Sequence, residues 1–357
     1  SASGVYSDTT TLRAVLTANQ GQPLSGETIA FWLDGIAVGS AETGVDGAAV
    51  LDYKVTVGAS FNTETLDHVL KAVFVENDAT YYRGSTGNSV LTVGKEEAVV
   101  LYTGTTMSRS DEDLILSAQI VQQADGELGE VSGLPIQFTL SRVNPDGSTT
   151  PYVHSVTEAV YSTDNSGKVS VSTWFLPGLY EVKVTLLPND YYKVSEAKAT
   201  IVLYDSTMGK MSAEGWYALP VNGNVFLGDL AKKMHIETEW EYDENTGLPK
   251  GKLKLHAEPE GLKLKMEWAD WVVITKDRAY IQGDAFDKQG QVYKARLMLE
   301  NRLSSAAKET EEESDDNKVK MKAMVSLIIW SGRDMSQQPA YEAYGQKMIG
   351  KIKIDPK

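Results

Sequence analysis

The chain has 357 residues, of which 42% are hydrophobic and 23% charged, with a net charge of −15 and no cysteine. This length exceeds one hydrophobic core and predicts two or three domains, and the composition is typical of a folded globular protein. The lack of cysteine excludes disulfides, thiolate metal ligands and cysteine nucleophiles. No apolar run reaches the roughly 20 residues of a membrane-spanning helix, so no membrane span is expected.

Charge is unevenly distributed along the chain. Residues 1–205 hold 11 basic and 25 acidic side chains, a net charge of −14, whereas residues 206–357 hold 23 and 24, a net charge of −1. Six of the latter acids lie in one run within residues 304–317, which we predict to be an acidic loop; without them the C-terminal part is +5. An acidic N-terminal part cannot neutralise phosphates, so nucleic acid is not an expected partner.

The first two predicted domains repeat one order of features. Each contains a Gly turn, a late alternating strand, a tyrosine pair and a closing alternating strand, within residues 22–93 and again within 132–203. Short alternating strands separated by turn residues predict β-sandwiches, with boundaries at 1–95 and 96–205. Adjacent strand residues point to opposite faces. We therefore expect one buried and one exposed ring in each pair, Tyr81-Tyr82 and Tyr191-Tyr192.

Residues 206–357 have a different pattern, with strict alternation of apolar and charged side chains. Leu253 and Leu255 alternate with Lys252 and Lys254, and a similar run covers residues 262–268. Such alternation predicts an antiparallel meander with one apolar face, forming a sandwich or barrel-like domain. The sequence therefore predicts an all-β fold with almost no helix, in which two sandwiches are followed by this third domain.

Two resemblances to known families refine this prediction. The Pro-Leu-Ser-Gly, Asp-Gly and Asp-Gly-Ala pattern of residues 23–48 resembles bacterial Ig-like domains of invasin-type and other surface proteins, over most of residues 1–205. Residues 208–354 resemble the post-COAP type of C-terminal β-domain of exported bacterial proteins, through Gly215-Trp216, residues 250–256, 326–330 and 350–354. The match departs from that family at residues 304–317. The resemblances imply an extracellular, cell-surface location. The small polar start at Ser1 fits either a processed end or a cut from a longer chain.

Few side chains suggest a bound metal. Asp111, Glu112 and Asp113, together with Asp78 or Asp190, offer the carboxylates that calcium prefers; the other interpretation is a solvated turn. No cofactor is expected apart from calcium at this cluster. His235 and His256 could be neighbours across a hairpin, either as a metal pair or as ordinary strand residues.

The C-terminal tryptophans suggest a second kind of site. Five of them could form a sugar-stacking platform or could be core residues. They are Trp216, Trp240, Trp268, Trp271 and Trp330.

No catalytic motif is recognisable, so the chain is predicted not to be an enzyme. We expect an exported surface protein that self-associates as a surface-layer, filament or adhesive subunit. The alternative is a carbohydrate-binding accessory region of a secreted enzyme, with cell-wall polysaccharide as the partner. The candidate assembly residues are Val5 and Tyr6 near the N-terminus and Ile352 and Ile354 near the C-terminus. Their alternating segments could add to a neighbour's sheet edge, or could be edge strands of their own domains.

Overall fold

The computed structural model describes residues 1–357 except for 77–80, 123–128, 208, 220–224, 244, 302–322 and 356–357. All but one of the described helices and strands are β-strands, so the predicted all-β fold is confirmed. Its described secondary structure includes one short helix, α1 (Ser155–Glu158). That helix is far too short to cross a membrane, and the described residues contain no longer apolar helix.

Residues 2–94 form the first module. Its strands are β1 (Ala2–Val5), β2 (Thr9–Val15), β3 (Thr28–Leu33), β4 (Ile36–Glu42), β5 (Ala48–Lys54), β6 (Thr65–Phe74) and β7 (Ser85–Gly94). One sheet has the order β1-β7-β6-β3-β4 and faces a small sheet of β2 and β5. Alternation along each strand sends Leu12, Phe31 and Leu91 into the core between the sheets, where each is almost completely buried.

Residues 98–204 form the second module. Its strands are β8 (Ala98–Tyr102), β9 (Met107–Arg109), β10 (Leu114–Gln122), β11 (Pro135–Val143), β12 (Thr149–Tyr152), β13 (Val160–Ser162), β14 (Lys168–Thr173), β15 (Gly178–Leu186) and β16 (Ser195–Tyr204). The large sheet has the order β12-β11-β15-β16-β9, and β13 also pairs with β11. The small sheet has the order β14-β10-β8.

The large sheets of the two modules have the same strand order, β1-β7-β6-β3-β4 and β9-β16-β15-β11-β12. In each, the strand that comes directly before β2 or its equivalent β10 pairs in parallel with the last strand: β1 with β7, and β9 with β16. The small sheets also match, because the amides of Leu16 and Ile120 donate at 2.9 Å to the carbonyls of Gly47 and Gly167. Position 16 therefore corresponds to position 120. The second module has two strands more than the first: β8, beside β10, and β13, which pairs with the start of β11.

The tyrosine pairs follow the expectation in one module only. Tyr192 is fully buried and Tyr191 is 38% exposed, as predicted. In the first module, however, Tyr81 is 92% exposed and Tyr82 is 38% exposed. The prediction of a buried ring is therefore wrong for the first pair, and the reason lies in what covers the second pair.

Residues 210–355 form a closed barrel, in which neighbouring strands are consecutive in sequence. The strands are β17 (Lys210–Ala218), β18 (Lys233–Tyr242), β19 (Pro249–Glu258), β20 (Lys263–Ile274), β21 (Arg278–Phe286), β22 (Val292–Asn301), β23 (Ala323–Ser331) and β24 (Tyr341–Asp355). Strict alternation produces this result, because it places one face of every strand inside. Trp240 is buried in the lumen, where its indole Nε1 donates to Thr238 Oγ1 at 2.9 Å. Outside, Glu237 lies opposite Lys254 with 3.0 Å between Oε1 and Nζ, a cross-strand ion pair.

Candidate functional site: the two joints of the second module

The first joint connects the first and second modules through three tyrosines. The ring of Tyr6, which directly follows β1, lies 4.6 Å from the ring of Tyr191 and 5.6 Å from that of Tyr192, measured between centroids. The Tyr6 hydroxyl accepts a hydrogen bond from the Glu130 amide at 3.2 Å. The Tyr192 hydroxyl donates to the Glu130 carbonyl at 3.2 Å and accepts from Gln122 Nε2 at 2.8 Å. Burial raises the pKa of Tyr192, so this hydroxyl stays protonated.

Two glycines allow the modules to come this close. A Cβ on Gly129 would lie 2.6 Å from the Tyr192 hydroxyl and 2.7 Å from the Tyr6 ring. A Cβ on Gly58 would lie 2.7 Å from the Asp190 carbonyl. Both distances are shorter than real Cβ contacts, so the joint requires glycine at these positions. The connecting segment is also fixed, since the Glu96 amide donates to the Tyr191 carbonyl at 2.8 Å.

The second joint connects the β11–β12 turn of the second module to the outer wall of the barrel. The Tyr280 hydroxyl donates to the Val143 carbonyl at 2.9 Å, and the Ser326 hydroxyl donates to the Pro145 carbonyl. Arg278 Nη1 donates to Asn144 Oδ1 at 2.9 Å. These bonds satisfy the backbone carbonyls of a turn whose polar groups would otherwise be buried unpaired.

An apolar cluster surrounds these hydrogen bonds. The second module contributes Leu179 and Val202, and the barrel contributes outward-facing side chains of β20 to β23. Those barrel residues are Trp271, Val273, Tyr280, Met298, Ile328 and Trp330. A surface cluster of this size is unusual for the outside of a barrel, and covering it is what attaches the module. The rings of Tyr204 and Tyr242 stack at 5.6 Å between centroids beside it.

A charged network borders the second joint on the barrel wall. The guanidinium of Arg296 lies 5.7 Å from the Trp271 ring and 5.6 Å from the Trp330 ring, and its Nε donates to Gln282 Oε1 at 2.8 Å. Burial lowers the pKa of Arg296. Two residues earlier on β22, the Lys294 ammonium lies 2.9 Å from Asp270 Oδ2 and also contacts Asp284.

Hydrogen bonds within this network determine the ionisation of Asp284 and Lys294. Burial acts against the charge of Asp284, but hydrogen bonds from Lys294 and Arg333 outweigh it and hold the pKa of that carboxyl below its ordinary value. Burial likewise acts against the charge of Lys294, and hydrogen bonds to Asp284 and Asp270 outweigh it and raise the pKa of the ammonium. Asp284 and Lys294 therefore remain charged near neutral pH. They form a compensated ion cluster without a spare acid or base.

The calcium candidates do not converge. Asp111 forms an ion pair with Arg109 at 2.7 Å, and Glu112 accepts from the Ser108 hydroxyl at 3.2 Å, on an exposed turn between β9 and β10. That turn adjoins the end of β16 nearest the barrel, whereas Asp190 lies at the opposite end of the module beside Tyr191. The shared calcium site with Asp190 is therefore corrected, and Asp78 lies outside the described residues. Among described residues, no group of three His, Asp or Glu could hold a metal.

The histidine pair is formed as a neighbour pair. His235 lies directly opposite His256 across β18 and β19. The two residues are thus neighbours across a hairpin, as the sequence suggested. Burial and the nearby Lys263 lower the pKa of His256, because both act against a positive charge. The Lys233 ammonium, 2.9 Å from Glu258, compensates the nearest carboxylate. The surroundings are those of ordinary strand residues.

The proposed assembly residues have partners within the chain. Val5 pairs with Gly94 of β7, and Tyr6 is buried in the first joint. Ile352 and Ile354 pair with Ala213 and Met211 of β17, and the side chain of Ile352 is buried in the barrel. Both segments are therefore strands of their own domains, β1 at the edge of its sheet and β24 in the closed barrel. Their contribution to assembly remains a prediction.

The tryptophans do not line up on one surface. Trp240 lies inside the barrel, Trp271 and Trp330 lie in the second joint, and Trp268 is exposed. The Lys233 ammonium lies over the ring of Trp216. A bulge between Ala269 and Trp271 breaks the strand alternation there. Residues 304–317, predicted to form an acidic loop, lie outside the described residues.

Comparison with known proteins adds no family. No family model matches the chain, and no curated protein matches it. Among solved structures, α2-macroglobulin of Salmonella matches at 11% identity with a TM-score of 0.26, over 99% of this chain and 26% of that one. α2-Macroglobulin of E. coli matches at 12% identity with a TM-score of 0.24, over 99% and 26%. β-Glucuronidase of Parabacteroides merdae matches at 12% identity with a TM-score of 0.17, over 56% and 22%. The chain thus spans about a quarter of the length of these structures.

Proposed function

We propose that the chain is a non-enzymatic, exported bacterial surface protein that self-associates as a surface-layer, filament or adhesive subunit. In this proposal, residues 1–205 are tandem Ig-like domains and residues 206–357 a post-COAP-type domain. The observation that carries it is the packing of both joints of the second module. Tyr6 with Tyr192 on one side and Tyr280 with Ser326 on the other make buried hydrogen bonds across them.

A chain that carries tension or forms a lattice requires packed joints. Contacts between domains of one chain are commonly small and permit relative motion. Here each joint buries aromatic rings together with satisfied polar groups, so bending would expose apolar area and break hydrogen bonds at once. A chain held in this way transmits a pull from its first module to its barrel. The absence of cysteine and the two sequence resemblances support an extracellular location.

Electron microscopy of the purified full-length chain and of native cells tests this function. We expect an ordered array or fibre in both samples, and we expect mass to grow with concentration in analytical ultracentrifugation. A Tyr280→Phe variant, which loses one hydrogen bond across the second joint, should still fold but should form less regular assemblies. A monomer at every concentration, with no surface structure on cells, would contradict the proposal.

The alternative, a carbohydrate-binding accessory region, is favoured by one groove beside the first joint. Phe61 and Tyr191 present exposed rings there, next to Asn189 and Asp190. Rings beside amide and carboxylate groups suit the stacking and hydrogen bonding of sugars. Retention on cell-wall polysaccharides should then fall for Tyr191→Ala and should not change for Tyr81→Ala, the matched exposed tyrosine of the first module. Equal retention of both variants would remove this alternative.

A further inference from the structure

The first module has a groove in the place where the second module has a strand. Among the described residues, β2 pairs with β5 alone, whereas its equivalent β10 pairs with β14 and also with β8. The groove beside β2 is lined by core side chains and by the start of β7. Those lining residues include Leu16, Phe31, Leu70, Phe74, Gly87 and Ser89.

The equivalent side chains of the second module are covered by β8. Leu70 and Phe74 correspond to Val182 and Leu186, because both pairs hold the same register against the last strand. On that last strand, Gly87 and Ser89 are exposed, while their equivalents Ala197 and Ala199 pack against the core. In the second module Val100 of β8 fills this place: its side chain is fully buried, and its amide donates to Ser195 Oγ at 3.0 Å.

The backbone of β2 is ready to pair on this side. The Thr103 amide of the second module donates to the Ser117 carbonyl at 2.8 Å, so odd-numbered residues of β10 face β8. By the established correspondence, the N–H and C=O groups of Arg13, Val15 and Thr17 face the groove. The backbone N–H and C=O groups of even-numbered Leu16 point away from the groove, since its amide donates to the Gly47 carbonyl. An unpaired strand edge beside an apolar groove is a template for an added strand.

The charge at the end of the groove indicates what such a strand carries. In the second module Glu97, which precedes β8, forms an ion pair with Lys193 at 2.9 Å. Lys193 follows the Tyr191-Tyr192 pair as Arg83 follows Tyr81-Tyr82, and Arg83 is exposed. A second groove, lined by Tyr82 and Arg83, continues from the first through Leu16 and Phe74. The path along which residues 96–102 cross the second module is thus open in the first.

We infer that the first module accepts an extended segment of another protein molecule, running antiparallel to β2. The segment has an acidic residue followed by apolar residues at alternate positions, as in Glu97–Tyr102. The acidic residue of the segment forms an ion pair with Arg83. Its backbone forms hydrogen bonds with the backbone of β2 at Val15, and its alternate apolar side chains cover Leu70 and Phe74. The inference stands without the proposed assembly function, because it rests on the comparison of the two modules.

Disulfide trapping tests the pairing and its register. The probe is a synthetic peptide with the sequence of residues 96–103, carrying cysteine at the position of Leu101, and the target is the full chain with Val15→Cys. Gln119, the equivalent of Val15, lies opposite Leu101, so the two sulfurs should meet. The chain has no other cysteine. We expect trapping roughly tenfold faster than with cysteine at the Val100 position, whose side chain points to the other face.

The matched control is Val50→Cys on the neighbouring strand β5. Val15 is 50% exposed and Val50 is 52% exposed, so the two thiols are similarly accessible, but only Val15 lines the groove. Equal trapping at both positions, or equal trapping of both peptides, would overturn the inference. Calorimetric titration of the unmodified chain with the cysteine-free peptide should give one site per chain, and Val15→Pro should abolish it. Absence of binding to the unmodified chain at millimolar peptide would overturn it as well.

Discussion

The first and second modules have the same strand order, yet the second is closed where the first is open. The difference lies in β8, which completes the small sheet of the second module and buries Val100 against β15 and β16. In the first module the same face of β7 is exposed from Ser85 to Val90. A sandwich therefore does not need its full set of strands to keep a core, provided that residues such as Leu12 and Leu91 remain enclosed.

The comparison also shows that a residue's burial depends on neighbours outside its own repeat. Tyr192 is covered by Tyr6 of the preceding module and by the backbone of Glu96 and Gly129. Tyr82 has the equivalent place in the repeat and remains 38% exposed. The repeat fixes where the tyrosines lie along the strand order, and the joint decides which of them enters a core.

The largest expected effect comes from disrupting the packing of β8 against the core of the second module. Val100→Asp places a carboxylate at a fully buried site, and burial of an unpaired polar group should reduce the free energy of unfolding by about 4 kcal/mol or more. Val99→Asp is the control, since its side chain is directed outward and the change should cost less than about 0.5 kcal/mol. Urea unfolding of the full chain measures both. A Val100→Asp variant as stable as Val99→Asp would show that β8 does not belong to the core.

The equivalent Gly turns should show the opposite order, because a substitution in the turn of the first module should destabilise the chain more than one in the second. Both Gly47 and Gly167 have a positive φ, of 71° and 72°. A Cβ at Gly47 would lie 2.5 Å from the Leu16 carbonyl, whereas at Gly167 the nearest atom, the Ile120 carbonyl, is 3.1 Å away. We expect Gly47→Ala to cost about 3 kcal/mol and Gly167→Ala about 1 kcal/mol, the latter mostly backbone strain.

Hydrogen exchange read peptide by peptide assigns each loss to its module. Gly47→Ala should accelerate exchange in β2 and β5, and Gly167→Ala in β10 and β14. A larger loss for Gly167→Ala would contradict the turn correspondence on which the comparison depends.

Sequence patterns could predict the strands but not the joints. The alternation of Leu253 and Leu255 with lysines predicts the barrel meander, and the cross-strand pairing of Glu237 with Lys254 follows from it. Both are local properties of one or two strands. The all-β class, too, follows from turn residues at sandwich spacing.

The joints escaped prediction because they depend on contacts between distant segments. The sequence around Trp271 and Trp330 looks the same whether these residues bind sugar, fill a core or attach a module. Only the contact with the turn at residues 143–147 shows which of these roles they have. The bulge beside Trp271 also shifts its direction, which alternation alone cannot anticipate. A run of outward-facing apolar residues on β23, including Ile328 and Trp330, was the available signal for a covered outer wall.

The tyrosine pairs offer a smaller, sharper test of the comparison. Tyr192→Phe removes a hydroxyl that donates to the Glu130 carbonyl and accepts from Gln122, leaving buried partners unsatisfied at a cost of about 1–2 kcal/mol. Tyr82→Phe changes a partly exposed ring and should have no measurable effect. Thermal unfolding by calorimetry compares the two, with Tyr6→Phe as a third variant on the same joint. Equal effects of Tyr192→Phe and Tyr82→Phe would mean that the first joint is not formed in solution.

The smallest expected difference is in acid sensitivity. In the first module His68 Nδ1 lies 2.6 Å from Asp34 Oδ2, and its equivalent in the second module, Tyr180, instead donates to the Leu176 carbonyl at 2.8 Å. The hydrogen bond with His68 is the main cause that lowers the pKa of Asp34 below its ordinary value of 3.8. A carboxyl with a lowered folded-state pKa stabilises the fold above the unfolded pKa, and this contribution is lost as the pH falls through the folded value.

The loss should therefore occur below about pH 4 and in the first module. Because the Asp34 side chain is 46% exposed, solvent screening keeps the effect under about 1 kcal/mol. Asp34→Asn is the suitable variant, since Asp34 has a φ of 48° and asparagine tolerates that conformation. Hydrogen exchange of β3 and β6 at pH 6 and pH 3 should show a smaller acid-induced change in Asp34→Asn than in the unmodified chain. Exchange in β11 and β15 provides the internal control, because Tyr180 does not titrate in this range. An identical acid response of β6 in both proteins would mean that the contact between His68 and Asp34 contributes nothing to the first module.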